Sequence, residues 1–129
     1  MASQIKTLDK QWSLLVKYRA GYKCEVCGKN QNQVRLNSHH IIGRRNKRTR
    51  WNLRNGVCLC VQHHKFGIQS AHEDGPWFDK WLQKHRKKDY DYLNRIKNRI
   101  KKWKPFERVQ LIEEFKIKIK KYERDGNIS

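Results

Sequence analysis

Acidic residues are missing from the middle of this 129-residue chain: residues 26 to 72 contain no Asp or Glu. The gap excludes a carboxylate-rich metal site in that stretch. The formal net charge is +19, from 31 Lys and Arg against 12 Asp and Glu. Nucleic acid phosphates are therefore the expected partner, with an anionic membrane surface as the weaker alternative. The acid-free stretch holds these basic residues: Lys29, Arg35, Arg44, Arg45, Lys47, Arg48, Arg50, Arg54 and Lys65.

Long apolar runs are also missing. No run of about 18 apolar residues exists, so we expect no membrane-spanning helix. The start of the chain, residues 1 to 6, has no apolar segment typical of a signal peptide, which favours a cytoplasmic location. In a reducing cytoplasm, four cysteines favour metal binding over disulfides. The length predicts one domain, residues 1–129.

The apolar pattern predicts a small mixed α+β fold. Residues 5–19 have the spacing of an amphipathic helix, and strands are expected at 34–42 and 56–59, with a helix from about residue 61. A C-terminal helical extension, about 76–125, should contain three helices with these apolar faces: Trp77, Phe78, Trp81 and Leu82; Leu93, Ile96, Ile100 and Trp103; Phe106, Val109, Ile112, Phe115, Ile119 and Tyr122.

Three cysteines and a histidine have the spacing of a structural Zn²⁺ site. Cys24 and Cys27, followed by a glycine, form a zinc-knuckle pair, and Cys60 and His63 repeat the spacing. Together they supply four tetrahedral ligands. Cys58 competes with Cys60, since both would lie on one face of a strand. We favour Cys60, which stands at the entry to a helix, and expect Cys58 to be a buried thiol.

The remaining histidines suggest hydrolytic chemistry. Phosphodiester hydrolysis needs a base for water, a Lewis acid and assistance to the leaving 3′ oxygen. We assign His40 as the base, and His39 with His64 as ligands of a second divalent ion. Neighbouring residues on a strand point to opposite faces, so the division of roles between His39 and His40 stays open. The side-chain amide of Asn55 should bond loop backbone and hold the strands in register.

A basic loop lies between the two strands, at residues 43–54. It is predicted to contact DNA, although a solvated charged turn is the alternative. Trp51 would either stack on a base or anchor the loop, and His72 would either touch phosphate, brace the site or lie on the surface. The residues assigned to DNA contact are Arg44, Arg45, Lys47, Arg48, Arg50 and Arg54.

These motifs resemble the HNH nuclease family over about residues 22–67. The matching segments are His39-His40-Ile41, Asn55 to Cys60 and His63-His64. The resemblance implies a ββα-metal fold in which His40 is the general base, His39 and His64 bind the ion, and Asn55 braces the loop. Family members often carry a fourth Cys where this chain has His63, so the assignment of His63 and His64 to the two metals stays open.

The resemblance implies a DNA endonuclease that uses Mg²⁺ or another divalent ion beside the structural Zn²⁺. The alternative is a non-catalytic, zinc-stabilised nucleic-acid-binding module, which explains the charge but leaves three histidines without a role. A third candidate is an accessory protein of phage packaging or recombination, encoded by a phage in its bacterial host. A double-strand cutter with one site would act as a homodimer or bind twice.

Overall fold

The computed structural model describes residues 2–126, a mixed α+β fold with a small antiparallel sheet. These residues form four α-helices: α1 (Ala2–Arg19), α2 (Gly75–His85), α3 (Lys87–Ile96) and α4 (Pro105–Asp125). The sheet contains β1 (Leu36–His40) and β2 (Gly56–Cys60). No helix in this part of the chain combines the length and apolar character needed to cross a bilayer.

The sheet register places the two candidate sites at its ends. Leu36 pairs with Cys60, and His40 pairs with Gly56. The connecting loop, residues 41–55, finishes in a single 3₁₀ turn at Leu53–Asn55. Cys60 therefore lies at one end of the ladder and His40 at the other, where β1 leaves the sheet.

Helix α1 covers the sheet, as its apolar spacing predicts. Leu8, Trp12 and Val16 are almost fully buried. The close approach requires a glycine at position 56, because a Cβ there would collide with Val16 and lie 2.9 Å from Trp12 Cζ2. This contact brings the α1 side chains directly beside the last residue of β1.

Helix α4 packs along α1, but its buried face differs from the predicted one. Phe115 is buried, whereas Phe106 and Val109 are exposed. Arg108 takes the buried position in the first turns, where its guanidinium donates to the Trp103 carbonyl. Leu111, absent from the predicted face, packs against the core.

Two predicted helices are shorter than the sequence suggested. The helix expected from residue 61 is a single π-helical turn, Gln62–Phe66, which ends where the Gly67 amide donates to the Gln62 carbonyl. The helix expected to reach Trp103 ends at Ile96. Side chains of the basic loop explain that end, because Asn46 donates to the Lys97 carbonyl and Arg48 to that of Ile100.

Candidate metal centres

Four side chains predicted to bind zinc come together in one cluster that could hold a metal ion such as zinc. The ligand atoms of Cys24, Cys27, Cys60 and His63 lie within 4.8 Å of one another. Cys27 Sγ and Cys60 Sγ are 3.9 Å apart, and His63 Nδ1 lies 3.3 Å from Cys60 Sγ and 3.8 Å from Cys24 Sγ. Tetrahedral zinc places two sulfurs about 3.8 Å apart, and sulfur and nitrogen about 3.6 Å apart. The donor set therefore fits zinc.

The knuckle turn is held against the sheet by its own backbone and by Glu25. Gly28 has a φ of +78°, and its amide donates to the Cys24 carbonyl across 2.8 Å. Glu25 exchanges bonds with Cys58: the Glu25 amide donates to the Cys58 carbonyl, and the Cys58 amide donates to the Glu25 carboxylate. Arg86, which lies between α2 and α3, donates to the same carboxylate at 3.0 Å. These contacts bring the first two thiols to the end of β2.

The structure separates Cys58 from Cys60 by position. Both side chains are buried in the core, but only Cys60 has its sulfur among the clustered ligand atoms. Burial, with a smaller contribution from the Glu25 charge, raises the pKa of the Cys58 thiol to about 12. A protonated thiol is a poor metal ligand.

A second cluster contains three histidines, His39, His64 and His72. Their candidate ligand atoms also lie within 4.8 Å of one another. The ring centroids of His39 lie 5.0 Å from His64 and 5.2 Å from His72, and His64 and His72 are 4.7 Å apart. Phe78 of α2 closes the apolar side of the His39 ring, at 5.2 Å. Neighbouring residues His63 and His64 thus enter different clusters.

Burial keeps two of these rings neutral. Burial, followed by repulsion from His64 and His72, lowers the pKa of His39 to about 3. The same effects, burial first and then His72, lower the pKa of His64 to about 4. Neutral imidazole is the form that binds metal ions, so both rings are ready to act as ligands near pH 7.

His40 lies apart from this cluster, on the α1 side of β1. Its ring stacks on Trp12 with centroids 3.8 Å apart and planes 7° from parallel. Nε2 lies 2.9 Å from the Arg50 carbonyl. Because a carbonyl only accepts, Nε2 carries the hydrogen and Nδ1 keeps its lone pair. Burial lowers the pKa of His40, although the bond to Arg50 opposes the shift.

Asn55 connects the start of β2 to the basic loop. Its side chain is fully buried and makes three bonds to loop backbone. Oδ1 accepts from the Ile42 amide at 2.7 Å, and Nδ2 donates to the carbonyls of Ile42 and Thr49 at 2.9 and 3.1 Å. Asn55 thus fixes the backbone that follows His40, and both polar atoms of its side chain are bonded to that loop.

His39 and His40 line one cleft of about 480 Å³. Their rings leave β1 on opposite sides, but β1 ends at His40, so the cleft can run around the end of the strand. Helices α2 and α3 form the opposite wall. Residues of that wall are Phe78, Asp79, Tyr90, Asn94 and Lys97. Of the three-histidine cluster, His39 lines this cleft together with His40, whereas His64 and His72 are not among its lining residues.

The six basic loop residues have two different environments. Arg44, Arg45 and Lys47 are exposed. The other three are engaged within the protein: Arg50 pairs with Asp9 at 2.7 Å, Arg54 with Asp89 at 2.7 Å, and Arg48 donates to the Ile100 carbonyl at 2.9 Å. Trp51 is buried and donates to Asp9, so it anchors the loop.

Sequence reasoning missed three contributors to the site. The sequence leaves the role of His72 open, and the amphipathic pattern of residues 5–19 predicts no part in the site for Asp9 or Trp12. Asp9 holds Arg50 and Trp51, and Trp12 donates from Nε1 to the Asn52 carbonyl at 2.9 Å. These long-range contacts have no local signature, since about 40 residues separate the partners.

No family model, curated protein or solved structure matches this chain.

Proposed function

We propose that this protein is a metal-dependent DNA endonuclease of the HNH type. The observation that carries the proposal is the His40 ring, which is fixed by Trp12 and the Arg50 carbonyl and shares a cleft with His39. A binding module needs no imidazole held in this way in a cleft that is also lined by a residue of a candidate metal centre. The arrangement matches what phosphodiester hydrolysis requires: a base, a cation and an opening for the substrate.

His40 acts as the general base in this proposal. With the hydrogen on Nε2, Nδ1 takes the proton from a water whose oxygen attacks phosphorus. The bond from phosphorus to the 3′ oxygen breaks, and the leaving oxygen takes a proton from solvent. The products carry a 5′-phosphate and a 3′-hydroxyl. A positioned base of this type contributes about 10²- to 10⁴-fold in rate.

His39 and His64 would hold the divalent ion. Bound there, it would supply Lewis acidity toward the phosphate and the leaving oxygen. The lowered pKa values of both rings suit that role, because a protonated ring could not bind. Asn55 acts indirectly, by fixing the Ile42 and Thr49 backbone on either side of the loop.

The Cys24, Cys27, Cys60 and His63 cluster would hold structural zinc. Its ligands join the knuckle, the end of β2 and the turn that follows. Because His63 binds there, the adjacent His64 is fixed relative to β1. Zinc at this cluster would therefore position the second site without taking part in the chemistry.

DNA would approach over the basic loop. Arg44, Arg45 and Lys47 are exposed and unopposed by acidic residues within the loop, so they are the proposed phosphate contacts. Lys97, on the opposite wall of the cleft, is a fourth. Arg50 and Arg54 hold the loop against the rest of the protein through their ion pairs with Asp9 and Asp89.

The test is cleavage of supercoiled plasmid by zinc-loaded protein with added Mg²⁺, Mn²⁺ or Ni²⁺. We expect His40→Ala to lose at least about 100-fold of the nicking rate, as removal of a base predicts, while zinc content and DNA binding persist. His85→Ala is the matched control, since His85 is exposed on α2, beside Trp81.

Two results would refute the proposal. Equal nicking by the wild type and His40→Ala would remove His40 from the mechanism. Binding of DNA by wild type without cleavage, under every ion, would leave a zinc-stabilised nucleic-acid-binding module.

A further inference from the structure

His72 is the one member of the three-histidine cluster that lies beyond the HNH-like segment. It follows His64 by eight residues, and the chain between them folds back on itself. The Ala71 amide donates to the His63 carbonyl at 2.7 Å, and the His72 amide donates to the His64 carbonyl at 3.1 Å. Ser70, fully buried, secures the return by accepting from the Glu73 amide. The backbone thus delivers His72 to His64.

The His64 ring is poorly satisfied by the protein itself. Nδ1 is buried and has no hydrogen-bond partner within residues 2–126. Nε2 lies 3.2 Å from Nε2 of His72, so within these residues the His64 ring has only another imidazole as its hydrogen-bond partner. The lone pairs of two neutral rings at this distance can instead bind one cation.

The donor set contains nitrogen and no carboxylate. Within residues 2–126, the grouped ligand atoms at this site are those of His39, His64 and His72, with no acidic oxygen among them. Mg²⁺ is bound through carboxylates and water, whereas imidazole suits Zn²⁺, Ni²⁺ and similar ions. The other nearby histidines are engaged elsewhere, His40 with Arg50 and His63 with the thiols.

We propose that His72 is the third ligand of the second metal ion, and that this three-imidazole site selects a transition metal over Mg²⁺. The proposal rests on the second metal site of the proposed function, and it changes the expected ion. Three ligands on one side leave the remaining coordination positions for water and phosphate. Because His39 of the cluster lines the cleft with His40, those positions would face the substrate.

Co²⁺ titration of protein that carries one equivalent of Zn²⁺, bound at the thiol cluster, tests the proposal without any measurement of activity. We expect wild type to bind one further equivalent of Co²⁺, with visible bands of an all-nitrogen site and no thiolate charge-transfer bands. Excess Mg²⁺ should not displace it. His72→Ala should weaken Co²⁺ binding by at least about 10-fold, the low end of what even outer-shell changes cost.

Two further variants sharpen the result. His72→Asp introduces a carboxylate at an exposed position, so it should fold normally and shift the preference toward Mg²⁺ and Mn²⁺. His85→Ala should bind Co²⁺ as wild type does. Unchanged zinc content and circular dichroism will show that each variant is folded.

The outcomes separate this inference from the nuclease. If His72→Ala binds Co²⁺ as tightly as wild type, or Mg²⁺ displaces Co²⁺ at equal concentration, the His72 proposal is wrong even where plasmid is cleaved. If His72→Ala and His72→Asp change metal binding as expected but wild type cleaves no DNA, the metal-site proposal is confirmed and the nuclease proposal is wrong.

Discussion

Replacing Asn55 should destabilise the protein. Asn55→Asp, which keeps the shape of the side chain but loses its amide donors, should be less stable than Asn55→Ala. Asn55→Ala removes three hydrogen bonds from a fully buried position. The Thr49 carbonyl keeps a second partner, the Asn52 amide, whereas both backbone groups of Ile42 lose the bonds that Asn55 provides. Two orphaned groups at about 1–3 kcal/mol each predict a loss of roughly 4 kcal/mol.

That loss is large for a protein of this size. A single domain is stable by about 5–15 kcal/mol, so roughly 4 kcal/mol removes a quarter or more of the total. At about 3–4 °C per kcal/mol for a chain of intermediate length, the melting temperature should fall by roughly 12–16 °C.

Asn55→Asp is nearly isosteric with the native residue, but we expect it to be worse than Ala at neutral pH. One carboxylate oxygen can still accept from the Ile42 amide. The other replaces Nδ2 and faces the Ile42 and Thr49 carbonyls at 2.9 and 3.1 Å, with no proton between them. Burial and these carbonyls raise the pKa of the introduced carboxyl in the folded state, so its penalty should shrink as the pH falls.

Urea unfolding of zinc-loaded protein, followed by circular dichroism at pH 8 and pH 6, measures both effects. Asn98→Ala is the control, because Asn98 is exposed and its loss should change stability by less than about 0.5 kcal/mol. If Asn55→Asp were as stable as wild type at pH 8, or more stable than Asn55→Ala, then the Nδ2 bonds would not carry the stabilisation derived from them.

Three further predictions concern the scaffold and the DNA surface. Cys27→Ser should abolish tight zinc binding and unfold the knuckle, since structural zinc contributes about 10–16 kcal/mol in small peptides; elemental analysis and circular dichroism check this. Asp9→Asn should lower the free energy of unfolding by about 1–2 kcal/mol, because it weakens bonds from Arg50 and Trp51; urea titration measures it, and no change would contradict the anchoring role. Arg44→Ala should flatten the salt dependence of DNA binding by about one phosphate contact, whereas an unchanged slope would remove Arg44 from the interface.

The sequence correctly predicted the elements whose signal is local. The apolar spacing of α1 defines a stripe on one side of a helix, and that stripe is buried, with Leu8, Trp12 and Val16 at its centre. The prediction failed where another segment competes. Helix α3 ends at Ile96 because Asn46 and Arg48, from the distant basic loop, capture the carbonyls that follow. No window around residue 96 contains that information.

Ligand spacing likewise determined the thiol cluster. In Cys24-x-x-Cys27 and Cys60-x-x-His63, two donors lie within one turn of backbone, so each pair reaches a common point whatever surrounds it. The chain has only four cysteines, so the sequence also indicates that these two pairs bind the same ion. Cys58 is excluded only by the tertiary structure, in which Cys60 and not Cys58 has its sulfur among the clustered ligand atoms.

Tertiary structure alone decided the geometry around the histidines and the use of the basic residues. His72 reaches His64 through a folded-back turn, and His40 is fixed by Trp12 and by the carbonyl of Arg50, whose side chain pairs with Asp9. Ion pairs with Asp9 and Asp89 engage the guanidiniums of Arg50 and Arg54, two residues that the sequence predicted to contact DNA. A side chain's partner across 10 to 40 residues depends on which groups are buried together, and local spacing does not encode that competition.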